Sequence, residues 1–351
     1  MQDKSTHFSA QINEAQKQAM RQDPNMICMG LGINDPKNIF GTTQGLEDEF
    51  GSHRVFDMPT SENAMTGIGI GAAIAGTRVL MTHQRVDFFL LALDQLVNNA
   101  AKWHYMFNGQ MSVPLTLRLI IGRGWGQGPT HQQSLQSWFA HIPGLKVITP
   151  GLTDNVGQLL YQSIMDNNPT VFLEHRWLHN QEVSESKLVS FQNQIDTTRI
   201  IREGTDITLI ANSYMLLEAI HASNQMQKQG VSCEIIEIAC TSDINWSTIY
   251  KSVNKTNYCL ITDIGHLSFS VSSEVAARVS EHCFTQLKKP IVRLGLPDIP
   301  EPTSFGLTTN FYNGQKEIID AVSDVLATNI RHTEQAQSPH DVPGSWFKGP
   351  F

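Results

Sequence analysis

Short β-branched runs alternate with helix-length segments along most of the chain, and that alternation leaves few folds open. The clearest unit is in the second half. Ile207-Thr-Leu-Ile-Ala211 reads as a buried strand, and Tyr214 to Gln227 carries apolar residues at 216, 217, 220 and 226. Gly230 stops that helix, and Val231 to Ile238 reads as the next strand. A strand, a helix and a strand at this spacing imply a parallel pair with a right-handed crossover. Tyr258–Thr262 and Ile291–Leu294 add strands, with a helix from Ser272 to Gln286 between them.

The first half repeats the pattern. Strands are expected at Val55–Asp57, Arg78–Met81, Val113–Ile121, Leu145–Thr149 and Thr170–Leu173. Helices are expected at Asn63–Gly76, Asp87–Met106 and Ser134–His141. The fold class is therefore α/β, with two parallel-sheet sandwich domains. A length of 351 residues suits two domains. The boundaries expected are 1–180 and 200–330, joined by a polar linker at 181–199. A tail at 331–351 ends in Trp346, Phe347 and Phe351, and three aromatics there imply docking on this or another subunit.

Composition removes several classes of function. Net charge is −8, a poor match to nucleic acid. The absence of an apolar run of 18 residues argues against a transmembrane helix. Five scattered cysteines without a CxxC pair argue against a disulfide framework or a zinc site, and a cytoplasmic location is expected.

Two segments carry candidate chemistry. Glu62 opens a small-residue helix in Pro59-Thr-Ser-Glu-Asn-Ala-Met-Thr-Gly67. A carboxylate there serves either as a helix-start anion or as a catalytic group. Gly122-Arg-Gly-Trp-Gly-Gln-Gly-Pro-Thr-His131 is a flexible loop ending in a histidine able to move protons. It fits neither common nucleotide-binding glycine pattern.

The order Ser61-Glu62, Gly71-Ala-Ala-Ile-Ala-Gly76, Asp94-Gln95, Tyr105-Met106, His131-Gln-Gln-Ser-Leu135, Trp138 to Val147, Asp166-Asn-Asn-Pro169 and Val171-Phe-Leu-Glu-His175 is more specific. It resembles the beta subunit of the thiamine-diphosphate-dependent first component of 2-oxoacid dehydrogenases of the pyruvate and acetoin type. That group belongs to the transketolase superfamily, and the likeness is densest over 51–178.

The resemblance implies roles residue by residue. Glu62 falls where a glutamate bonds the cofactor's aminopyrimidine ring, and Phe88 where an aromatic lies against that ring. His131 matches a loop histidine that handles protons or orients the acyl acceptor. Leu115, Ser163, Ile164, Asp166 and Asn168 match a potassium site of some relatives, mostly through backbone carbonyls. His141 and His175 are read as structural. The chain contains no Gly-Asp pair to begin a magnesium motif ahead of Asn167-Asn168. The magnesium and pyrophosphate half of the site is thus expected from an alpha subunit in an α2β2 assembly.

Thr82-His-Gln-Arg-Val86 departs from the family pattern. His83 and Arg85 are candidate substrate contacts. Arg85 either holds a carboxylate or phosphate, or pairs with Asp87 or another chain. The altered loop Ile264-Gly-His-Leu-Ser-Phe-Ser270 bears on docking to a lipoyl acyltransferase. Three functions follow: a dehydrogenase beta subunit passing its acyl group to lipoyl-lysine, a free-standing transketolase-like carboligase subunit with an aldehyde or sugar acceptor, and a non-catalytic scaffold.

Overall fold

The computed structural model describes residues 5–35, 37–123, 126–152, 155–184, 195–308 and 310–333, together with Val342, Phe347 and Gly349. The first part runs β1 (Ser5–His7), α1 (Phe8–Gln22), β2 (Ile27–Gly30), α2 (Leu46–Phe50), β3 (Val55–Asp57), α3 (Glu62–Ile74), β4 (Val79–His83) and α4 (Val86–Phe89). It continues with α5 (Ala101–Met106), β5 (Leu115–Ile121), α6 (Gln136–Ala140), β6 (Lys146–Ile148), α7 (Val156–Met165), β7 (Thr170–His175) and β8 (Glu182–Ser184). The second part runs β9 (Thr198–Arg202), β10 (Ile207–Ala211), α8 (Ser213–Gln227), β11 (Cys233–Ile238), α9 (Trp246–Thr256) and β12 (Cys259–His266). It closes with α10 (Val271–Cys283), β13 (Val292–Leu296), α11 (Phe305–Thr308) and α12 (Gln315–Leu326).

Two sheets form. The first has the order β3-β2-β4-β5-β7-β6, with every pair parallel. The second has the order β13-β12-β10-β11-β9, parallel except for the antiparallel edge strand β9. Strands β4, β5, β7, β10 and β11 are buried along their whole length, as expected where helices cover both faces. A short antiparallel ribbon joins β1 to β8.

The strand expectations hold to within a few residues, but three stretches differ. Asp87–Met106 is not one α-helix. It breaks into α4, a 3-10 turn at Leu90–Ala92, a π-helical turn at Gln95–Ala100, and α5. Over so few residues the apolar spacings of these helix types overlap. The 181–199 stretch carries β8 at one end and the start of β9 at the other, while 185–194 lies outside the described residues. In the tail, Phe347 is buried with its ring centroid 4.9 Å from Trp177, whereas Trp346 and Phe351 lie outside the described residues.

The halves meet along β6. Thr149 N–H donates to the Ala239 carbonyl at 2.7 Å, and Thr241 N–H to that of Val147 at 2.9 Å. Glu237 accepts from Gly151 N–H at 3.0 Å and pairs with Arg199. At the centre of the first sheet, Arg118 makes a two-pronged bond to Glu174 at 2.6 and 2.9 Å, both fully buried. Gln16 and His179 complete that cluster at 2.9 and 3.0 Å. Burial alone would raise the Glu174 pKa, but the charge and hydrogen bonds of Arg118 and His179 pull it down to about 2. All five cysteines are buried and unpaired.

Candidate active site

Parallel sheets place ligands outside the carboxyl ends of their strands, where loops diverge. In the first sheet those ends deliver the residues singled out as catalytic, cofactor-facing or substrate candidates. Glu62 follows β3, Phe88 follows β4 and His131 ends the loop after β5. The Phe88 and His131 rings meet edge to face, 5.3 Å apart.

Glu62 is the first residue of α3 and is 7% exposed. Among the described residues its carboxylate makes no hydrogen bond, and the Ser61 side chain does not cap the helix. The residue is largely covered, yet its carboxylate oxygens still reach solvent, so the acceptor faces an accessible space.

The loop carrying His131 is held from both domains. Gly122 adopts φ +88°, and a Cβ there would lie 2.2 Å from His175 Nε2. The Arg123 guanidinium is sandwiched between Trp177 at 4.3 Å and Tyr312 at 3.9 Å from the ring centroids. Gly128 passes under Thr303, whose Oγ1 would be 2.5 Å from a Cβ at that glycine. Gln132 Nε2 donates to the Tyr312 hydroxyl at 3.1 Å. The Thr303 and Tyr312 restraints come from the second domain, and those of His175 and Trp177 from the first. His131 keeps a contact with Thr130 Oγ1 at 3.0 Å.

The two candidate substrate contacts differ. His83 is 0% exposed within β4, edge-on to Phe89 at 5.0 Å, and neither ring nitrogen has a hydrogen-bond partner. Burial lowers its pKa to about 4, so it is a neutral core residue rather than an open substrate contact. Arg85 immediately precedes α4 without capping it through its side chain, and forms no ion pair with Asp87. It donates to the Gln84 carbonyl and to Gln127 Oε1, both at 2.8 Å. Asp87 instead accepts from Gln133 at 2.7 Å.

Three of the carbonyls matched to a potassium site, those of Ser163, Ile164 and Asp166, are already engaged. Arg78 Nη1 donates to the Ile164 and Asp166 carbonyls at 2.7 and 2.6 Å, and Thr116 to that of Ser163 at 2.9 Å. The Asp166 carboxylate pairs with Lys146 and accepts from Asn168 N–H. A fixed guanidinium among these oxygens repels a second cation, so Leu115, Ser163, Ile164, Asp166 and Asn168 fit potassium poorly. Nor do the described residues hold a cluster of three His, Cys, Asp or Glu side chains suited to a metal. His175 stacks on Tyr214 at 4.8 Å and is buried across the domain boundary, whereas His141 is exposed at the end of α6.

Sequence reasoning missed Arg78, Arg123, Gln127, Arg176, Thr303 and Tyr312. Arg176 follows an apolar strand directly, which is a usable signal. Tyr312 reaches the loop from the far domain, and no local pattern marks it.

Fold and site together define a two-domain α/β subunit of the transketolase type. Residues 4–181 match the model of the transketolase pyrimidine binding domain, and residues 196–319 that of the transketolase C-terminal domain. A solved structure described as a split-gene transketolase, an inactive beta4 tetramer, superposes with TM-score 0.72 at 15% identity. It covers 94% of this chain and 100% of the other. A transketolase from Pichia stipitis gives TM-score 0.64 at 14% identity, covering 93% of this chain and 46% of that one.

Curated relatives narrow the class. The pyruvate dehydrogenase E1 component subunit beta of Rhizobium meliloti is 34% identical, covering 90% of this chain and 68% of the relative. The mitochondrial beta-1 subunit of Oryza sativa is 35% identical, covering 84% and 80%. The mitochondrial human subunit is 32% identical, covering 90% and 89%. The chain belongs to the family of pyruvate dehydrogenase E1 component beta subunits.

Proposed function

We propose that the chain is the beta subunit of a heteromeric thiamine-diphosphate-dependent enzyme that decarboxylates a 2-oxo acid and passes on the acyl unit. One observation carries the reading: Glu62, a largely covered residue at the carboxyl edge of a pyrimidine-binding-type sheet, has a carboxylate with no hydrogen-bond donor among the described residues. Glu62 would bond the aminopyrimidine, and Phe88 would lie against it. The cofactor, when bound, supplies a carbanion-forming ring carbon and an electron sink. Glu62 holds a proton at the ring's edge, Phe88 keeps water away, and His131 exchanges protons with substrate or acceptor.

The alpha subunit in this reading carries the magnesium and pyrophosphate site, in an α2β2 assembly. Exposed apolar side chains such as Tyr105, Met106 and Trp138 offer surface for such partners. No potassium ion is assigned, because Arg78 supplies positive charge among the matched carbonyls. Residues 1–180 form the cofactor-facing half, 200–330 the second domain, and 331–351 a docking tail, supported by Phe347 on Trp177. No described helix is long and apolar enough to cross a membrane. Buried reduced thiols suit the cytoplasm, with a lipoyl acyltransferase as the downstream acceptor.

The relatives favour this reading over a carboligase subunit. The assay is turnover of 2-oxo acids by the complex purified with its partner, comparing lipoamide and an aldose as acceptor. Native mass spectrometry should show both subunits with thiamine diphosphate and magnesium. A cofactor-free oligomer of this chain alone, inactive with either acceptor, would overturn it.

A further inference from the structure

We propose that Arg85, Arg176 and Gln127 form a subsite for an anionic group of the reactant, a distal carboxylate or a phosphate, beside the edge that carries Phe88 and His131. The inference rests on the reading that this edge is where the reaction occurs.

Strands β4, β5 and β7 are adjacent and parallel, so the residues leaving their carboxyl ends converge. Arg85 lies just beyond β4, Gln127 in the loop after β5, and Arg176 directly after β7. Arg85 Nη2 and Arg176 Nη1 both donate to the same oxygen, Gln127 Oε1, at 2.8 and 2.9 Å. The arginines are only 8% and 3% exposed. Two buried guanidiniums thus point their donors at one neutral amide oxygen.

A carboxylate or phosphate is the better match to that geometry. It offers at least two charged oxygens, enough to engage two planar donor forks at once. Arg176 lies over the Phe40 ring at 5.5 Å, the second bond of Arg85 goes to a backbone carbonyl, and Asp87, the acidic neighbour that acts on Arg85, makes no ion pair with it and has Oδ1 bonded to Gln133. Burial lowers the Arg85 pKa, while burial and then the charge of Arg85 lower that of Arg176 to about 10. A bound anion relieves both effects.

Gln127 is the group that would give way. It is half-buried, and glycines flank it at φ +64° and +77°. Its loop also carries His131, and Arg85 is three residues before Phe88. An anion held here lies at the reacting edge rather than on a remote surface. A dicarboxylic 2-oxo acid, or a phosphorylated acceptor, is the reactant class that uses it.

The test uses the complex of this chain with its partner subunit. Calorimetry reads binding of glutarate and of inorganic phosphate. Kinetics compare 2-oxopentanedioate with 2-oxopentanoate, which has the same length without the distal carboxylate. Gln127→Glu places a carboxylate between the arginines without removing a buried charge, so it tests the subsite even where Arg85→Met fails to fold. The expected result is at least a tenfold preference in kcat/KM for the dicarboxylic acid, cut at least tenfold by Gln127→Glu, with glutarate binding lost in that variant. Phosphate binding that Gln127→Glu abolishes, without glutarate binding, supports the subsite and assigns it to a phosphorylated acceptor. Glutarate binding lost in the variant, with no 2-oxo acid turned over, keeps the subsite and overturns the reaction reading. Turnover of 2-oxo acids with no preference, and no variant-sensitive binding of either probe, overturns the subsite alone.

Discussion

Glu62 and Asp263 are both buried carboxylates near the carboxyl edge of a parallel sheet, one in each domain. Asp263 accepts from Gln136 at 2.8 Å, Ser272 N–H at 2.9 Å and Gly265 N–H at 3.2 Å. Glu62 accepts from none of the described residues. The second-domain carboxylate is spent on holding β12, α10 and α6 together. The first-domain carboxylate is left open, and the loops around it are tied down by other groups. A carboxylate whose bonds are completed within the chain serves architecture, and one left accessible without a donor is available for chemistry.

The contrast breaks first at Glu62. Glu62→Gln should lower turnover of the complex by about 10²–10⁴-fold, the range for a lost proton-transfer group, with little change in denaturation midpoint. Unaltered turnover would remove its assigned role. Glu174→Gln should do the reverse. It leaves Arg118 buried without its charge partner, which costs about 3–5 kcal/mol in urea denaturation.

His83 gives the next effect, through pH. Its folded pKa of about 4 lies below the ordinary histidine value, so between about 6.5 and 4 the unfolded chain binds the extra proton. Stability should therefore fall as pH drops through that window, by up to about 3 kcal/mol. His83→Leu should flatten that part of the profile in denaturant titrations.

Asp263→Asn should cost about 1–3 kcal/mol, because an amide cannot accept all three bonds. It should alter turnover far less than Glu62→Gln, and equal activity losses would erase the contrast between domains. The smallest effect is expected from Tyr312→Phe. It keeps the ring over Arg123 but loses the bond from Gln132 and the long bond to Glu301, each worth at most about 0.5–1.5 kcal/mol. Limited proteolysis within the 122–131 loop is the sensitive readout.

Much of this arrangement was legible in the chain. The β10–α8–β11 unit is plain because strand and helix periods differ and Gly230 separates them. Glu62 and His131 were reachable because each sits in a distinctive local run, and Phe88 was reached only through the family resemblance. Helix α1 was not, since its buried face includes Gln11 and Gln16, and Gln16 is satisfied by bonding the Thr42 carbonyl at 2.6 Å. Strand β2 is too short to show a period, and α7, α9 and α12 were also missed. The meeting of Arg85 with Arg176 depends on β5 lying between β4 and β7, which no spacing in the chain records. The Arg78 contacts go to backbone oxygens, which every residue type carries.

The pairing of β1 with β8 has a consequence for synthesis on the ribosome. Ser5 pairs with Ser184, so the first strand waits for nearly two hundred residues before its partner exists. Parallel neighbours such as β5 and β7 likewise pair only after the intervening helices have emerged. Such long-range closure is slow and leaves apolar strand edges uncovered in the meantime. Nascent chains shorter than about residue 184 should therefore engage chaperones and resist refolding. The first domain should lock in one late step.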